Sequence, residues 1–199
     1  MIQLIIFDFY GVIIKGSYKD TSRWLAKKYK KPFDKVYKIL YHKYFNQAAE
    51  GKINERQFFI RTLKELGFEE KWQTVQAKHI SYLILDKQAL KFAKNLQDQG
   101  IKVVFLSKNT PAQVEIILKK YKIRRHIKHF INTYDLGLPK ADKRTIRHIL
   151  KRFKVKPGEA VMIDDQDFNL VEPKKLGVKT ILYKNFGQMR KELGKYLRD

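Results

Sequence analysis

The chain has 199 residues, enough for one domain or one domain carrying a modest insertion, and its 44% hydrophobic and 13% aromatic content excludes wholesale disorder. It contains no cysteine, which excludes a disulfide framework and thiolate chemistry and makes a reducing cytoplasm the expected setting. With 43 Lys+Arg against 20 Asp+Glu the formal charge is +23, a field that draws in phosphorylated metabolites, nucleic acid or acidic lipid.

In chain order, the opening run "IIFDFYGVII" (5–14) is the longest apolar stretch. It is too short, and too interrupted by Asp8, to span a bilayer. No basic segment precedes it, so it makes a poor signal peptide. The first strand is expected at about residues 2–8. From roughly 19 to 84 the pattern is almost wholly helical. "DTSRWLAKKYK" begins on cap-type residues and stops at Pro32. "FDKVYKILYHKYFNQAAEG" ends at Gly51. "NERQFFIRTLKELG" has Asn54 as N-cap and Gly67 as its stop, and "EEKWQTVQAKHISYLI" is a fourth helical stretch.

From about residue 86 the rhythm changes to alternating helix and strand. Helices are expected at "DKQALKFAKNLQDQG", "TPAQVEIILKKY", "ADKRTIRHILKRF" and "NLVEPKKLG", with a last one running into "LRD". Strands are expected at "IKVVFL", "FINTY", "AVMI" and "VKTILY". Short β-branched strands separated by helices imply a doubly wound parallel sheet, a Rossmann-like α/β core. The core is read as residues 1–14 and 85–199, with a helical insertion at 15–84. The two densest basic stretches, 119–130 and 143–156, keep apolar residues at regular intervals. Each is read as an amphipathic element with a solvated basic face rather than as a nucleic-acid site.

In such a sheet, ligands bind beyond the carboxyl ends of the strands. The first strand ends at Asp8, "VVFL" at Ser107 and "AVMI" at the pair Asp164–Asp165, and Lys140 stands in the loop "LGLPKAD". Carboxylates converging at one edge repel unless a cation sits among them, and oxygen ligands with water suit Mg²⁺. A hydroxyl, a lysine and a metal beside a carboxylate nucleophile make a phosphoryl-transfer site. The five histidines, at 42, 79, 126, 129 and 148, lack metal-ligand spacing and are read as surface or packing residues. Trp24 and Trp72 are read as packing in the helical block. Arg23, Arg56 and Arg61 are candidates for gripping a distal group of the substrate.

The ordered set Asp8-x-x-Gly11-Val12, Ser107, Lys140-x-Asp142 and Ile163-Asp164-Asp165 resembles the haloacid dehalogenase superfamily of hydrolases across essentially the whole chain. The helical block resembles the cap that superfamily inserts after its first strand. The resemblance implies Asp8 as a nucleophile forming an aspartyl-phosphate. Asp8, the backbone carbonyl of Tyr10, Asp165 and Asp164 would hold Mg²⁺. Ser107, Lys108 and Lys140 would bind phosphate, and Asp142 would cap the following helix. The implied substrate is a small phosphorylated molecule.

Three positions depart from the family pattern. Tyr10 stands where the phosphatases carry a second aspartate, the acid and base of the two half-reactions. A phenol with a pKa of about 10 can donate a proton at neutral pH but is a poor base. Lys108 follows Ser107 where an asparagine is usual, and Ala141 follows Lys140 where a proline is usual. Tyrosine at the tenth position resembles the 2-haloacid dehalogenases, which use no metal and lack the acid pair of 164 and 165. Three readings therefore stand at this point: a slow or specialised Mg²⁺-dependent phosphatase, a dehalogenase, and a degenerate member that binds a phosphorylated ligand or nucleic acid without turnover.

Overall fold

The computed structural model describes residues 1–198. The chain opens with β1 (Leu4–Asp8), turns tightly, and pairs β2 (Ile14–Lys15) with the later β3 (Ile84–Leu85) as a short antiparallel ribbon. Between the two arms of that ribbon lie α1 (Tyr18–Lys28), α2 (Phe33–Tyr37), a π-helix at Lys38–Phe45, α3 (Asn46–Ala49), α4 (Glu55–Leu66) and α5 (Trp72–Tyr82). After β3 the chain alternates: α6 (Lys87–Asp98), β4 (Lys102–Ser107), α7 (Pro111–Lys120), β5 (His129–Asn132), α8 (Thr133–Leu136), α9 (Lys143–Phe153), β6 (Ala160–Asp164), α10 (Val171–Lys175), β7 (Lys179–Leu182) and α11 (Phe186–Tyr196).

The five long strands form one parallel sheet in the order β5-β4-β1-β6-β7. Every residue of β1 is buried because helices cover both faces, which is why its sequence shows no alternation. Side chains still alternate in space. Ile5 and Phe7 pack with Val103, Phe105, Val161 and Ile163 against α6, α7 and α11, while Leu4 and Ile6 pack with Val104, Leu106 and Met162 against α9. The basic stretch at 143–156 behaves as an amphipathic helix: α9 buries Ile146, Ile149, Leu150 and Phe153 and turns Lys143, Arg144, Lys151 and Arg152 outward.

The helical block has its own apolar centre around Leu25, Val36, Leu40, Phe58 and Phe59, with Trp24 and Trp72 packed against it. Asn54 and Gln57 form a capping box at the start of α4, and Gly67 ends it in the left-handed region. α1 starts two residues before the expected Asp20. Ser17 is the true N-cap, and Asp20 is the third helical residue that reaches back to the Ser17 N–H. The expected single helix from 33 to 51 is broken by its π-helical centre, where Tyr37, Tyr41 and Phe45 stack at successive i,i+4 positions with centroids 5.1 Å apart. "FINTY" is split: β5 stops at Asn132, and Thr133 opens a helical turn. The last residue of the expected C-terminal helix lies outside the described residues.

Buried polar contacts fix the cap on the core. Thr110, which caps α7, donates to Glu55 Oε2 at 3.0 Å, and Lys108 Nζ donates to Asn46 Oδ1 at 2.9 Å. Gln113 accepts from the Tyr18 hydroxyl at 2.6 Å, so its amide faces His79 Nε2 at 2.9 Å. That ring nitrogen is then the acceptor, and Nδ1–H donates to Thr21 Oγ1 at 2.8 Å. Burial holds the His79 pKa at about 3 against an ordinary 6.5. The unfolded chain takes up a proton below pH 6.5 that the folded chain does not, so stability from this group is complete above that pH and falls towards pH 3. Its slope reaches about 1.4 kcal/mol per pH unit. Urea melts of His79→Gln are expected to show a flatter acid limb than the wild type. An unchanged slope contradicts the neutral, buried imidazole.

Candidate active site

Parallel register brings the strand ends level at the carboxyl edge of the sheet. Asp8 pairs with Leu106, one residue before Ser107, and Phe7 pairs with Ile163, one residue before Asp164. Beyond Asp8 the chain bends back, with the Gly11 N–H donating to Ile14 O at 2.7 Å. Gly11 has φ +108°, and a Cβ there would come within 2.5 Å of the Asp165 carboxyl carbon. Glycine is therefore needed for both the turn and the approach of Asp165.

Lys140 sits at the centre of the cluster. Its Nζ lies 2.5 Å from Asp8 Oδ1 and 2.7 Å from Asp164 Oδ2, with all three side chains at most 5% exposed. The loop that delivers it is held by Thr145 Oγ1, which donates to Pro139 O at 2.7 Å, and Asp142 caps α9 by accepting from the Arg144 N–H. Burial works to lower the Lys140 pKa, but the carboxylates of Asp164 and Asp8 outweigh it and hold the ammonium above its usual value. Burial, reinforced by Asp164, pushes the Asp8 carboxyl well above the ordinary range. Burial also raises Asp165.

One ligand oxygen from each of Asp8, Asp164 and Asp165 can be chosen within 4.8 Å of one another. Three carboxylates face a single ammonium, so the cluster lacks positive charge. Its all-oxygen donor set fits a hard divalent cation such as Mg²⁺. Asp164 is further oriented through Oδ1, which accepts from the Gln166 N–H at 2.9 Å and from Asn169 Nδ2 at 3.0 Å. Asn169 thus helps to orient the acid pair.

The other sequence-derived candidates are distributed as follows. Ser107 is fully buried, and its hydroxyl has no hydrogen-bond partner among the described residues. The loop after it is clamped by Asn132, whose side chain accepts from the Asn109 N–H and donates to Asn109 O. Lys108 lines the same cavity as Asp8, but its ammonium is engaged by Asn46 of the cap. Tyr10 also lines the cavity. Its hydroxyl is buried without a hydrogen-bond partner among the described residues, while the nearby Gln113 bonds to Tyr18 and His79. Burial raises the Tyr10 phenol above its usual pKa, which leaves it a donor and not a base. Arg23 lines the cavity, paired to Asp20 at 3.0 Å, whereas Arg56 and Arg61 are exposed elsewhere.

The cavity measures about 550 Å³ and runs from Asp8, Lys140 and Asp165 to the cap residues Tyr18, Tyr41 and Phe45. Sequence reasoning missed Tyr41, Gln166 and Phe168 in its wall. The aromatic spacing Phe33, Tyr37, Tyr41, Phe45 was the available signal for the first of these.

A family model described as a haloacid dehalogenase-like hydrolase matches residues 2–170. Among solved structures, one from Porphyromonas gingivalis, described as a predicted HAD-like family hydrolase, superposes with a TM-score of 0.82 at 18% identity, covering 100% of this chain and 99% of that one. A HAD family enzyme from Bacteroides thetaiotaomicron, in complex with magnesium and inorganic phosphate, gives 0.74 at 16% identity over 92% of this chain and 95% of its own. The L-2-haloacid dehalogenase from Xanthobacter autotrophicus, with chloropropionic acid covalently bound, gives 0.66 at 16% identity over 98% and 83%. At these identities the structural likeness speaks for the fold alone. In the described residues no helix is long and apolar enough to cross a membrane.

Proposed function

The chain belongs to the haloacid dehalogenase-like hydrolases, and from that premise we propose that it is a Mg²⁺-dependent phosphatase acting on a small phosphorylated molecule. The observation that carries this reading is the buried Lys140 bridging Asp8 and Asp164, with Asp165 completing an oxygen cluster. In this reading residues 1–14 and 85–199 form the catalytic core and 15–84 the cap.

Asp8, Asp164, Asp165 and the backbone carbonyl of Tyr10 would hold Mg²⁺. When bound, the cation supplies the positive charge that lets an anionic nucleophile meet an anionic phosphate. Lys140 fixes the Asp8 carboxylate and shares its charge. Asp8 attacks phosphorus, and the bond from phosphorus to the leaving oxygen breaks with its electron pair going to that oxygen. Ser107 and Lys108 offer donors to the phosphate oxygens, and the Tyr10 hydroxyl can donate to the leaving oxygen. Water then attacks phosphorus of the aspartyl-phosphate, which frees inorganic phosphate and restores Asp8. A neutral phenol gives that water no base, so the second half-reaction is slow.

Phosphate release from acetyl phosphate with Mg²⁺ and with a chelator tests the reading, since acetate leaves without an acid. Tyr10→Asp is expected to raise turnover of a simple alkyl phosphate by about a hundredfold. An unchanged rate in a variant that binds Mg²⁺ normally contradicts the role given to position 10. Tyr10 also favours a second reading, a 2-haloacid dehalogenase. Against it, Asp164 and Asp165 beside Asp8 would repel a haloacid carboxylate. Halide release in the presence of chelator would establish that alternative. Ligand binding without any turnover would instead mark a binding protein.

A further inference from the structure

Phe168 stands apart from the other aromatic residues of the cavity wall. Tyr41 is stacked between Tyr37 and Phe45, and Tyr18 lies flat on His79 at 3.9 Å. Phe168 has no aromatic or cationic partner among the described residues and is 57% exposed, yet it lines the cavity with Asp8 and Asp165. Its exposure is not that of a loose loop. It sits on the short 3₁₀ turn Asp167–Leu170, three residues after Asp165. The turn is pinned on its far side by buried Leu170 and by Asn169, which donates to Asp164 Oδ1 at 3.0 Å. The ring thus stands exposed at the cavity wall, on a turn anchored beside the acid pair.

Two further observations narrow what lies on it. The polar side chains behind the cavity are satisfied by one another: Gln113 by Tyr18 and His79, and His79 by Thr21. At that end of the cavity these side chains are already committed to one another, so a hydroxyl-rich group gains no hydrogen bond from them. The reacting end, in turn, offers only the Tyr10 phenol, a weak acid, to protonate a leaving alcohol, because Lys140 holds Asp8 and Asp164, and Asp165 lies in the same oxygen cluster. A leaving oxygen that is itself acidic departs without that help. A cavity of about 550 Å³ has room for a ring beside a phosphate.

We propose that the substrate is the phosphate monoester of a phenol or similar aromatic hydroxyl compound, its ring stacked on Phe168, and that Phe168 sets this preference. The inference rests on the phosphatase reading above. In the transfer step Asp8 gains the phosphoryl group, and the aryl oxygen leaves with the electron pair of the P–O bond as a phenolate that does not need the Tyr10 proton and is protonated by solvent afterwards. Steady-state rates on phenyl phosphate, glucose 6-phosphate and acetyl phosphate, each with Mg²⁺, test it in the full-length protein.

The wild type is expected to prefer phenyl phosphate to glucose 6-phosphate. In Phe168→Ala the ratio of kcat/KM for phenyl phosphate to that for acetyl phosphate should fall about fivefold to tenfold, as loss of one aromatic stack implies. Phe168→Trp should retain the ratio. Because the ring is exposed, neither change threatens folding. Acetyl phosphate turnover with an unaltered ratio in Phe168→Ala, or equal use of the sugar phosphate, overturns the inference while the phosphatase reading stands. No Mg²⁺-dependent phosphate release from any of the three overturns both.

Discussion

Asp8→Asn is expected to yield a folded protein that releases phosphate at least about 10⁴-fold more slowly than the wild type. An amide nearly matches the carboxylate in shape, so β1 and the turn after it should be undisturbed. It cannot attack phosphorus. The same change should not lower the melting temperature in the absence of Mg²⁺. Asp8 is buried among like charges, with its carboxyl driven well above the ordinary pKa, so the wild type holds it at a cost in stability. The asparagine relieves that cost, and Lys140 keeps Asp164 as its partner. With Mg²⁺ present the order should reverse, because the cation stabilises only a protein that binds it tightly. A variant with residual phosphatase activity within tenfold of wild type would remove Asp8 from the reaction.

Lys140→Met should be damaging in a different way. The side chain is of similar length, but it leaves Asp8 and Asp164 buried with no counter-charge. Breaking a buried pair from one side costs about 3–5 kcal/mol. In a domain of this size that lowers the melting temperature by roughly 10 °C. Activity should be lost along with stability, and added Mg²⁺ should recover part of the stability but little of the rate. Thermal melts with and without Mg²⁺ separate the two effects. A Lys140→Met protein as stable as wild type without the cation would mean that the three buried groups are not ionised together.

Chain order made much of this arrangement readable. Asp8, Ser107 and Asp164 each end a short apolar run, and the ends of parallel strands meet at one edge whatever the details of packing. Lys140 was different. In a chain with 43 Lys+Arg nothing local marks one lysine in a loop, and only its place in a family-like series singled it out. The cap wall was unreadable for a physical reason. The helices of residues 18–82 are amphipathic around their own centre, so periodicity reports that centre and not the face turned towards Asp8. That face is fixed by contacts distant in sequence: Asn46 with Lys108, Glu55 with Thr110, and Tyr18 with Gln113. The part played by Asn169 was unreadable for a related reason. Its side chain suits a helix cap, and only the fold shows it spent on Asp164.

Tyr10 ties the chemistry to a direct observation. If the first half-reaction proceeds and the second lacks a base, the phosphorylated form of Asp8 should accumulate. Wild-type protein mixed with acetyl phosphate and Mg²⁺, quenched in acid and weighed intact, should carry the mass of one phosphoryl group. Digestion should locate it on the peptide containing Asp8. The adduct should vanish with chelator or in Asp8→Asn, and be less abundant in Tyr10→Asp. Phosphate released in a Mg²⁺-dependent manner with no adduct at Asp8, or an adduct that forms as readily in chelator, would contradict the account.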